Sequence, residues 1–251
     1  MTSEQGYPEI NKSLWESSVT DFSYPGIIDA LFKLYASFEG KCIWGDKSPI
    51  YMVHMPLLKE LFPQAKFIHI IRDVRDVCLS LRNSWGLHPL RGAQQWHDKI
   101  IQCRHDASRW LAGDYLEIRY ASLLQETKSV LMQVCTFLNV NFEDAMTALQ
   151  RPTRERFGDA RDATHIVSTN LEKWRDQCAS DLIRRIEEVS FNVLQDLGYP
   201  VLYAERQSRL TSSHLLLLRG VDACHRFKMH CRFEGSMTRA LVREYRRRRF
   251  G

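Results

Sequence analysis

The spacing of apolar side chains predicts that helices alternate with short strands over most of this chain. Compact apolar runs flanked by polar residues predict strands at 42–44, 66–71 and 115–120. Spacings of three and four predict helices at 25–40, 52–62, 73–82, 91–111, 128–138 and 181–197. Strands that alternate with helices of about ten or more residues are typical of a parallel sheet with helices on both faces, so we predict an α/β fold.

The same pattern divides the chain into three parts. Residues 1–23 are polar and lack a clear period, residues 24–200 hold the predicted α/β domain, and residues 201–251 form a basic tail predicted to be helical. Residues 150–170 are charged and aperiodic, which predicts a mobile loop. Because ligands bind at the carboxyl ends of parallel strands, the residues that follow the strand at 66–71 are the first candidates for a site.

Composition favours a chain without a membrane span. The longest aliphatic run, 215–218, is far shorter than the roughly 20 apolar residues needed to cross a bilayer. The N-terminus also lacks a signal-peptide pattern. The seven cysteines include no CxxC pair, which suits a reducing compartment. We therefore expect a soluble, cytoplasmic protein.

The net charge of +5 resides in the C-terminal tail. Residues 201–251 hold twelve Lys/Arg against four Asp/Glu, a net charge of +8, whereas residues 1–200 carry −3. Such a tail can bind nucleic acid or an anionic membrane surface, but its few aromatic residues favour a solvated or weakly docked helix. We expect no zinc site in it, because the spacing of its Cys and His matches no zinc module: Cys224, His225, His230 and Cys231.

Arg72 and Ser80 form the sharpest candidate pair. Arg72 follows the strand predicted at 66–71, and Ser80 lies eight residues later on the next helix. A guanidinium matches phosphate geometry, and a helix start adds free backbone N–H groups and a favourable dipole, so the pair predicts an anion site. The alternative is that Arg72 pairs with Asp73 or Asp76 and that Ser80 is only a surface residue. Spacing alone leaves both interpretations open.

The segment around this pair, PQAKFIHIIRDVRDVCLSL, resembles the 3′-phosphate motif of sulfotransferases that use 3′-phosphoadenosine 5′-phosphosulfate (PAPS). The resemblance implies that Arg72 and Ser80 hold the 3′-phosphate of this co-substrate, without a metal. It also implies a parallel sheet like that of P-loop NTPases, flanked by helices. Val74 stands where the family often has proline.

Three further segments resemble the same family, in the family's order. WGDKSP is similar to a lysine-containing turn of bacterial and tyrosylprotein sulfotransferases, YLEIRYASLL to a strand-to-helix segment, and LEKWRDQ with the later LGYP to the closing segment. The resemblance implies that Tyr120 lies near the adenine and that Lys173 encloses the nucleotide phosphate. Lys47 would stabilise charge on the transferring group, although an exposed lysine in a turn is ordinarily only a solvated charge. Ala121 replaces a common glutamate.

One element of the family pattern is absent from these 251 residues. No segment is similar to PRSGTT or PKSGTT, the loop with which sulfotransferases hold the 5′-phosphosulfate. In relatives this loop lies many tens of residues before the GDKSP turn, and 44 residues precede Gly45 here. We therefore expect the first strand, its loop and the next helix to be missing, and favour a late start over a degenerate relative. The catalytic base is unassigned, with Glu16 only a remote substitute.

These observations predict a PAPS-dependent sulfotransferase that acts on a hydroxyl or amine acceptor. Two alternatives stay open: a truncated or degenerate relative that binds the product nucleotide PAP without catalysis, and a basic-tail binder of nucleic acid or an anionic surface. We expect His69 to be a satisfied core residue and the tryptophans to be core or pocket wall. Trp85 and His88 are candidates for an acceptor pocket. The sequence specifies neither the acceptor nor the oligomeric state.

Overall fold

A computed structural model of the chain describes residues 12–149, 163–164 and 166–234, with side chains in the last helix only up to residue 225. The chain divides into two compact units. The first comprises Met1–Ala65 with Asp106–Leu111, and the second comprises Lys66–His105 with Ala112–Gly251. Most of the loop predicted at 150–170 lies outside the described residues.

From residue 12 onward, where the structure describes it, the first unit contains three α-helices and the end of a longer one. Helix α1 spans Lys12–Ser18, α2 spans Tyr24–Phe38 and α3 spans Met55–Leu61, preceded by a 3-10 helix at Pro49–Val53. The helix predicted at 25–40 is thus confirmed, whereas the one predicted at 52–62 is split into the 3-10 helix and α3.

Trp44 holds the segment between α2 and α3 through aromatic contacts. Its indole Nε1 donates a hydrogen bond to Asp29 at 2.8 Å. Its ring stacks on Phe32 with a centroid separation of 4.7 Å, and the edge of Phe62 approaches to 5.9 Å. These ring contacts and the hydrogen bond stabilise the irregular segment.

The strand predicted at 42–44 is wrong. The segment is irregular, and Ile43 is exposed. A strand needs a neighbouring strand to satisfy its backbone N–H and C=O groups, and a run of apolar residues does not show whether that partner exists.

Helices on a small parallel sheet form the second unit. Strand β1 spans Phe67–Ile71 and β2 spans Tyr115–Arg119. The described residues of this unit form these helices in chain order: α4 Val74–Trp85, α5 Pro89–Trp110, α6 Tyr120–Gln125, α7 Thr127–Leu138, α8 Trp174–Gln177, α9 Ser180–Asp196 and α10 Ser212–Glu234. The end of α5 belongs to the first unit, and a 3-10 helix lies at Asp144–Thr147. Within the described ranges, no helix is long and apolar enough to cross a bilayer.

Strands β1 and β2 run parallel, as predicted. Phe67 lies opposite Tyr115, and Ile71 lies opposite Arg119. Two side chains of β1 are unusually open for a parallel strand, since Ile68 is 38% and Ile70 50% exposed. Parallel strands are normally covered on both faces, so this face of β1 lacks the usual cover within the described part of the chain.

The core of the second unit lies where α4, α5 and α9 pack on the end of β1. Ile71 and Val74 meet side chains of α5 and α9 there, including Trp96, Ile100 and Ile186. Apolar burial at the junction of β1 and α4 fixes the turn between them.

Helix α4 has a defined beginning and end. The Asp73 carboxylate caps its start by accepting from the backbone N–H of Arg75 at 2.9 Å. Gly86 ends it in the left-handed conformation, with φ +61°. The residue before this cap, Arg72, is therefore held between a strand end and a capped helix.

Arg75 joins α4 to the C-terminal part of the second unit. Its buried guanidinium pairs with Asp73 at 2.6 Å and with Glu187 of α9 at 2.7 Å, and lies 4.0 Å from the ring centroid of Trp174. Glu187 also accepts backbone hydrogen bonds from residues 202–204. These two ion pairs and their hydrogen bonds thus hold α4, α8, α9 and the following segment together.

The cysteines whose side chains the structure describes form no disulfide with one another. Cys78, Cys103 and Cys135 are buried, whereas Cys42 and Cys224 are exposed. Burial raises the pKa of the Cys78 thiol, so it stays protonated at neutral pH.

Candidate functional site

Arg72 lies directly after β1, at the carboxyl end of the strand. Ligands of parallel sheets bind at this edge. Its side chain is 22% exposed, and its Nη2 donates to the backbone oxygen and the side-chain oxygen of Asn170, each at 3.1 Å. The Nε atom is buried and has no partner among the described residues. A buried hydrogen-bond donor without an acceptor is unfavourable. This guanidinium is therefore suited to bind an anion whose oxygen accepts a hydrogen bond from Nε.

Tyr120 lies beside Arg72 because of the sheet register. Ile71 and Arg119 are opposite each other on β1 and β2, so the residue after each strand reaches the same edge. The Arg72 guanidinium lies 5.0 Å from the centroid of the Tyr120 ring. Asn170 Nδ2 donates to the Tyr120 hydroxyl at 3.2 Å. Arg72, Tyr120 and Asn170 therefore form one connected group.

Lys173 is brought to this group by a buried carboxylate. Asp76 of α4 accepts from the backbone N–H groups of Glu172 at 2.9 Å and Trp174 at 3.3 Å, on either side of Lys173. Burial lowers the pKa of Lys173, and the neighbouring charge of Arg72 lowers it further. Lys173 is thus close enough to Arg72 for the two positive charges to affect each other, which is an arrangement that favours anion binding.

Asp76 offsets only part of this positive charge. Its carboxylate lies 3.8 Å from Arg72 Nη2, which is beyond hydrogen-bond length. Burial raises the pKa of Asp76, because an ionised carboxylate is poorly solvated there. The pairing of Arg72 with Asp76 that spacing left open is therefore present, but as a loose contact, while Asp73 pairs with Arg75 instead.

Ser80 is exposed on α4, one helical turn after Asp76. Residues four apart share a helix face, so its hydroxyl is on the side of α4 that carries Asp76. The structure shows no hydrogen bond between this hydroxyl and another described residue. Its predicted contact with a phosphate stays a prediction.

Lys47 belongs to the first unit and is exposed in an irregular segment just before the 3-10 helix at Pro49–Val53. The neighbouring Asp46 carboxylate accepts a hydrogen bond from the Tyr51 hydroxyl. The role predicted for Lys47 in stabilising transferred charge stays a prediction.

The aromatic predictions are partly confirmed. His69 is a satisfied residue, with Nδ1 2.6 Å from the Tyr115 hydroxyl and a pKa lowered by burial. Trp174 is buried, as expected. Trp85 and Trp110 are more than half exposed, so neither lies in the core, and a place in a pocket wall stays a prediction for both.

Cys224 and His225 are exposed on α10, and the side chains of His230 and Cys231 lie outside the described residues. The described part of the chain holds no group of three or more His, Cys, Asp or Glu side chains arranged to bind a metal.

Sequence reasoning missed two residues of this site. Asn170 is the end of a segment predicted only as a loop, yet it contacts both Arg72 and Tyr120. Asp76 was weighed only as a partner of Arg72, although it fixes the backbone around Lys173. Neither role has a local sequence signal, since Asp76 and Glu172 are far apart in the chain.

Comparison with known proteins gives consistent results. A family model described as "Sulfotransferase family" matches residues 2–144. A putative protein-tyrosine sulfotransferase of Caenorhabditis elegans is 23% identical over 170 residues, which cover 61% of this chain and 64% of the relative. Carbohydrate sulfotransferase 6 of Homo sapiens is 24% identical over 196 residues, which cover 66% of this chain and 50% of the relative. The chain thus spans half to two thirds of these relatives.

A solved structure shows the same fold. The sulfotransferase domain from the curacin biosynthetic pathway superposes with a TM-score of 0.52 at 23% identity, covering 70% of this chain and 69% of that domain. The α/β fold predicted from the alternation of strands and helices is confirmed by this similarity. Since the family model also matches more than half of its residues, the chain belongs to the sulfotransferase family.

Proposed function

We propose that this chain transfers a sulfuryl group from PAPS to a hydroxyl or amine acceptor. Membership of the family implies a sulfonate donor in general. The observation that supports the proposal is the convergence of Arg72 and Lys173 at the end of β1, where the buried Nε of Arg72 has no partner among the described residues. A phosphorylated nucleotide supplies the acceptor oxygens that this site needs.

The residues present suit the 3′-phosphate half of PAPS. Arg72 donates to the phosphate, with Ser80 adding a hydroxyl from the same side of α4 as Asp76. Tyr120 offers its ring to the adenine. When bound, PAPS supplies an activated sulfuryl group on a phosphate leaving group.

Asp76, Lys173 and Lys47 have the remaining roles in binding and transfer. Asp76 holds the backbone on both sides of Lys173. The Lys173 ammonium neutralises nucleotide phosphate. Lys47 stabilises negative charge on the transferring and leaving groups.

Hydroxyl groups are the favoured acceptors. The relatives are named for protein tyrosine and for carbohydrate, and both present hydroxyls. An amine can also react, because its nitrogen carries a lone pair. It is the second choice because the names of these relatives point to hydroxyl acceptors.

Calorimetric titration with PAP tests the binding half of the proposal. Arg72→Ala is expected to weaken PAP binding by at least about 100-fold, because a charge-assisted bidentate contact contributes several kcal/mol. Arg184→Ala removes an exposed arginine of α9 and serves as the matched control. Ser80→Ala should weaken binding about tenfold, with exposed Ser129→Ala of α7 as its control. Unchanged affinity in Arg72→Ala would contradict the assignment.

A transfer assay with sulfur-35 PAPS tests the chemical half. Label should move to a tyrosine peptide or a sugar acceptor, with PAP released only when the acceptor is present. Lys47→Ala should lower kcat by about 100-fold and weaken PAP binding much less, because the charge on the leaving phosphate develops mainly in the transition state. A Lys47→Ala variant with full kcat removes Lys47 from the mechanism.

A second candidate function is PAP binding without transfer. It is favoured by one sequence observation, the absence of a PRSGTT-like segment from these 251 residues. PAP affinity that depends on Arg72, together with no transfer of label, supports this candidate. Absence of PAP binding in the unaltered chain contradicts both functions.

A further inference from the structure

Asn170 is bonded to two residues of the proposed nucleotide site at the same time. Its backbone oxygen and its side-chain oxygen both accept from Arg72 Nη2 at 3.1 Å. Its side-chain Nδ2 donates to the Tyr120 hydroxyl at 3.2 Å. One residue thus sets the relative placement of a guanidinium that follows β1 and a phenol that follows β2.

The backbone that carries Asn170 is held by contacts other than those with Arg72. Asp76 accepts from the backbone N–H of Glu172 at 2.9 Å, and the backbone N–H of Asn170 donates to the Val167 oxygen at 3.2 Å. Glu172 has a φ of +52°, a left-handed conformation that non-glycine residues keep only when surrounding contacts impose it. The segment therefore positions Asn170, and the side chain of Asn170 is a fixed point against which Arg72 is oriented.

The amide of Asn170 orients the Arg72 guanidinium without neutralising it. A carboxylate in the same place would form a charge-assisted pair and offset the positive charge of Arg72, whereas a neutral amide leaves that charge for a ligand. The contacts with Asn170 also involve Nη2 alone, and the buried Nε keeps no partner among the described residues. Arg72 is thus held in one orientation with charge and a donor still to be satisfied.

The same amide determines what the Tyr120 hydroxyl can do. A phenol has one hydrogen to donate, and its oxygen also accepts. Because the Tyr120 oxygen accepts from Asn170 Nδ2, its hydrogen is left to donate to another acceptor. Arg72 and Tyr120 therefore both offer donors, which favours a ligand rich in acceptor oxygens and nitrogens, such as a phosphorylated nucleotide.

We propose that Asn170 is a positioning residue that sets the preference for nucleotides with a 3′-phosphate. It acts through Arg72, which it holds as an uncompensated charge for the phosphate, and through Tyr120, which it holds as a donor to the nucleotide. The inference rests on the proposed function, in which Arg72 binds the 3′-phosphate. The alternative is that Asn170 competes with the phosphate for Nη2, in which case its removal would tighten binding.

Calorimetric titration with PAP and with 5′-AMP tests the proposal, because 5′-AMP lacks the 3′-phosphate. Asn170→Ala should weaken PAP binding by about tenfold and 5′-AMP binding much less, since the orientation of Arg72 is lost. Asn170→Asp keeps an acceptor for Arg72 but adds a negative charge beside it. PAP binding should therefore weaken at least about tenfold, while the urea midpoint of unfolding does not fall.

The matched controls are Asn141→Ala and Asn141→Asp, which make the same changes at an exposed position after α7. Both should bind PAP like the unaltered chain. A double variant then shows through which residue Asn170 acts. The preference for PAP over 5′-AMP that remains in Arg72→Ala should not fall further when Asn170→Ala is added. A further fall would mean that Asn170 acts without Arg72, and this result overturns the proposal.

The remaining results also overturn it. Tighter PAP binding in Asn170→Ala would make Asn170 a competitor of the phosphate. Equal loss of PAP and 5′-AMP binding, with a lowered urea midpoint, would mean that Asn170 only supports the fold. A full preference for PAP in both Asn170 variants would contradict this inference alone. An unaltered chain without any preference for PAP over 5′-AMP would contradict the proposed function as well.

Discussion

Arg75 shows at the scale of one residue how a buried charge can organise a site that it does not enter. Its guanidinium is paired on two sides and lies over Trp174, the residue after Lys173. Taking these charges out of water is costly, and their mutual contacts recover that cost only while every partner is present. Arg75 therefore matters less for net stability than for keeping Asp73, Glu187 and the Lys173 segment in one arrangement.

Removal of Arg75 should be severely destabilising. Arg75→Ala leaves the carboxylates of Asp73 and Glu187 without their buried partner, and we expect the free energy of unfolding to fall by about 3–5 kcal/mol. Arg184→Ala breaks an exposed pair with Asp181 and should cost less than about 1 kcal/mol. Urea titration followed by tryptophan fluorescence measures both. A similar cost in the two variants would mean that the buried network is not what holds these helices together.

Lys173 provides a pH-dependent prediction. Its pKa is lowered by burial and by Arg72, so its ammonium loses its proton below the ordinary lysine range. A bound phosphate favours the ammonium and raises this pKa again. PAP binding should therefore take up protons at alkaline pH, and PAP affinity should fall as pH rises through the lowered pKa.

Titrations in two buffers of different ionisation enthalpy measure this proton uptake. Lys173→Arg keeps the charge at all accessible pH values, so the uptake should disappear and PAP affinity should lose its alkaline decline. An undiminished uptake in that variant would assign the proton to another group.

At the scale of elements, two glycines in neighbouring helices have opposite roles. Gly86 ends α4 with a positive φ that other residues adopt only with strain. Gly92 lies within α5, where an added Cβ would make ordinary contacts of 3.4 Å with Leu81 and 3.5 Å with Cys78. One glycine is needed by the backbone, and the other is a weak point in a helix.

The two alanine substitutions should therefore change the free energy of unfolding in opposite directions. Gly86→Ala is expected to lower the free energy of unfolding by about 1–2 kcal/mol. Gly92→Ala should raise it by about 0.5–1 kcal/mol, because alanine restricts the unfolded chain and favours helix. Urea midpoints at constant m-value provide the comparison. Destabilisation by Gly92→Ala would show that the contacts with Leu81 and Cys78 are too tight to yield.

At the scale of the whole molecule, the open face of β1 is the main departure from a typical parallel sheet. Ile68 and Ile70 are exposed on a strand that is ordinarily covered on both faces. Exposed apolar strands promote association with other chains.

Self-association should thus depend on β1 more than on equally exposed helical residues. Ile70→Thr keeps a β-branched side chain but removes apolar surface, so light scattering at high protein concentration should decrease. Ile101→Thr on α5, exposed to 49% against 50% for Ile70, should leave scattering unchanged. An equal decrease in both variants would assign the effect to general hydrophobicity.

Features that depend on neighbouring residues in the sequence could be predicted, whereas contacts between distant segments could not. Helices α4, α5, α7 and α9 and strands β1 and β2 were predicted within a few residues because their patterns are periodic, whereas the short helices α6 and α8 were not predicted. Arg72 and Ser80 share one short segment, so the sequence could propose them together, and the role of Ser80 stays a prediction. Asn170 was not found, because its contact with Arg72 depends on the path of a distant segment. The strand at 42–44 was wrong because an apolar run carries no information about a partner strand.

Because some cysteines are buried and others are exposed, alkylation of the thiols can measure local unfolding of the native protein without any substitution. Cys42 and Cys224 should react with iodoacetamide at once, whereas Cys78, Cys103 and Cys135 can react only when the structure that covers them opens. Mass spectrometry of the alkylated peptides then yields a separate opening rate for α4, α5 and α7. Equal rates would mean that these three helices unfold as one cooperative body, and a faster rate at Cys135 would make α7 an independent one.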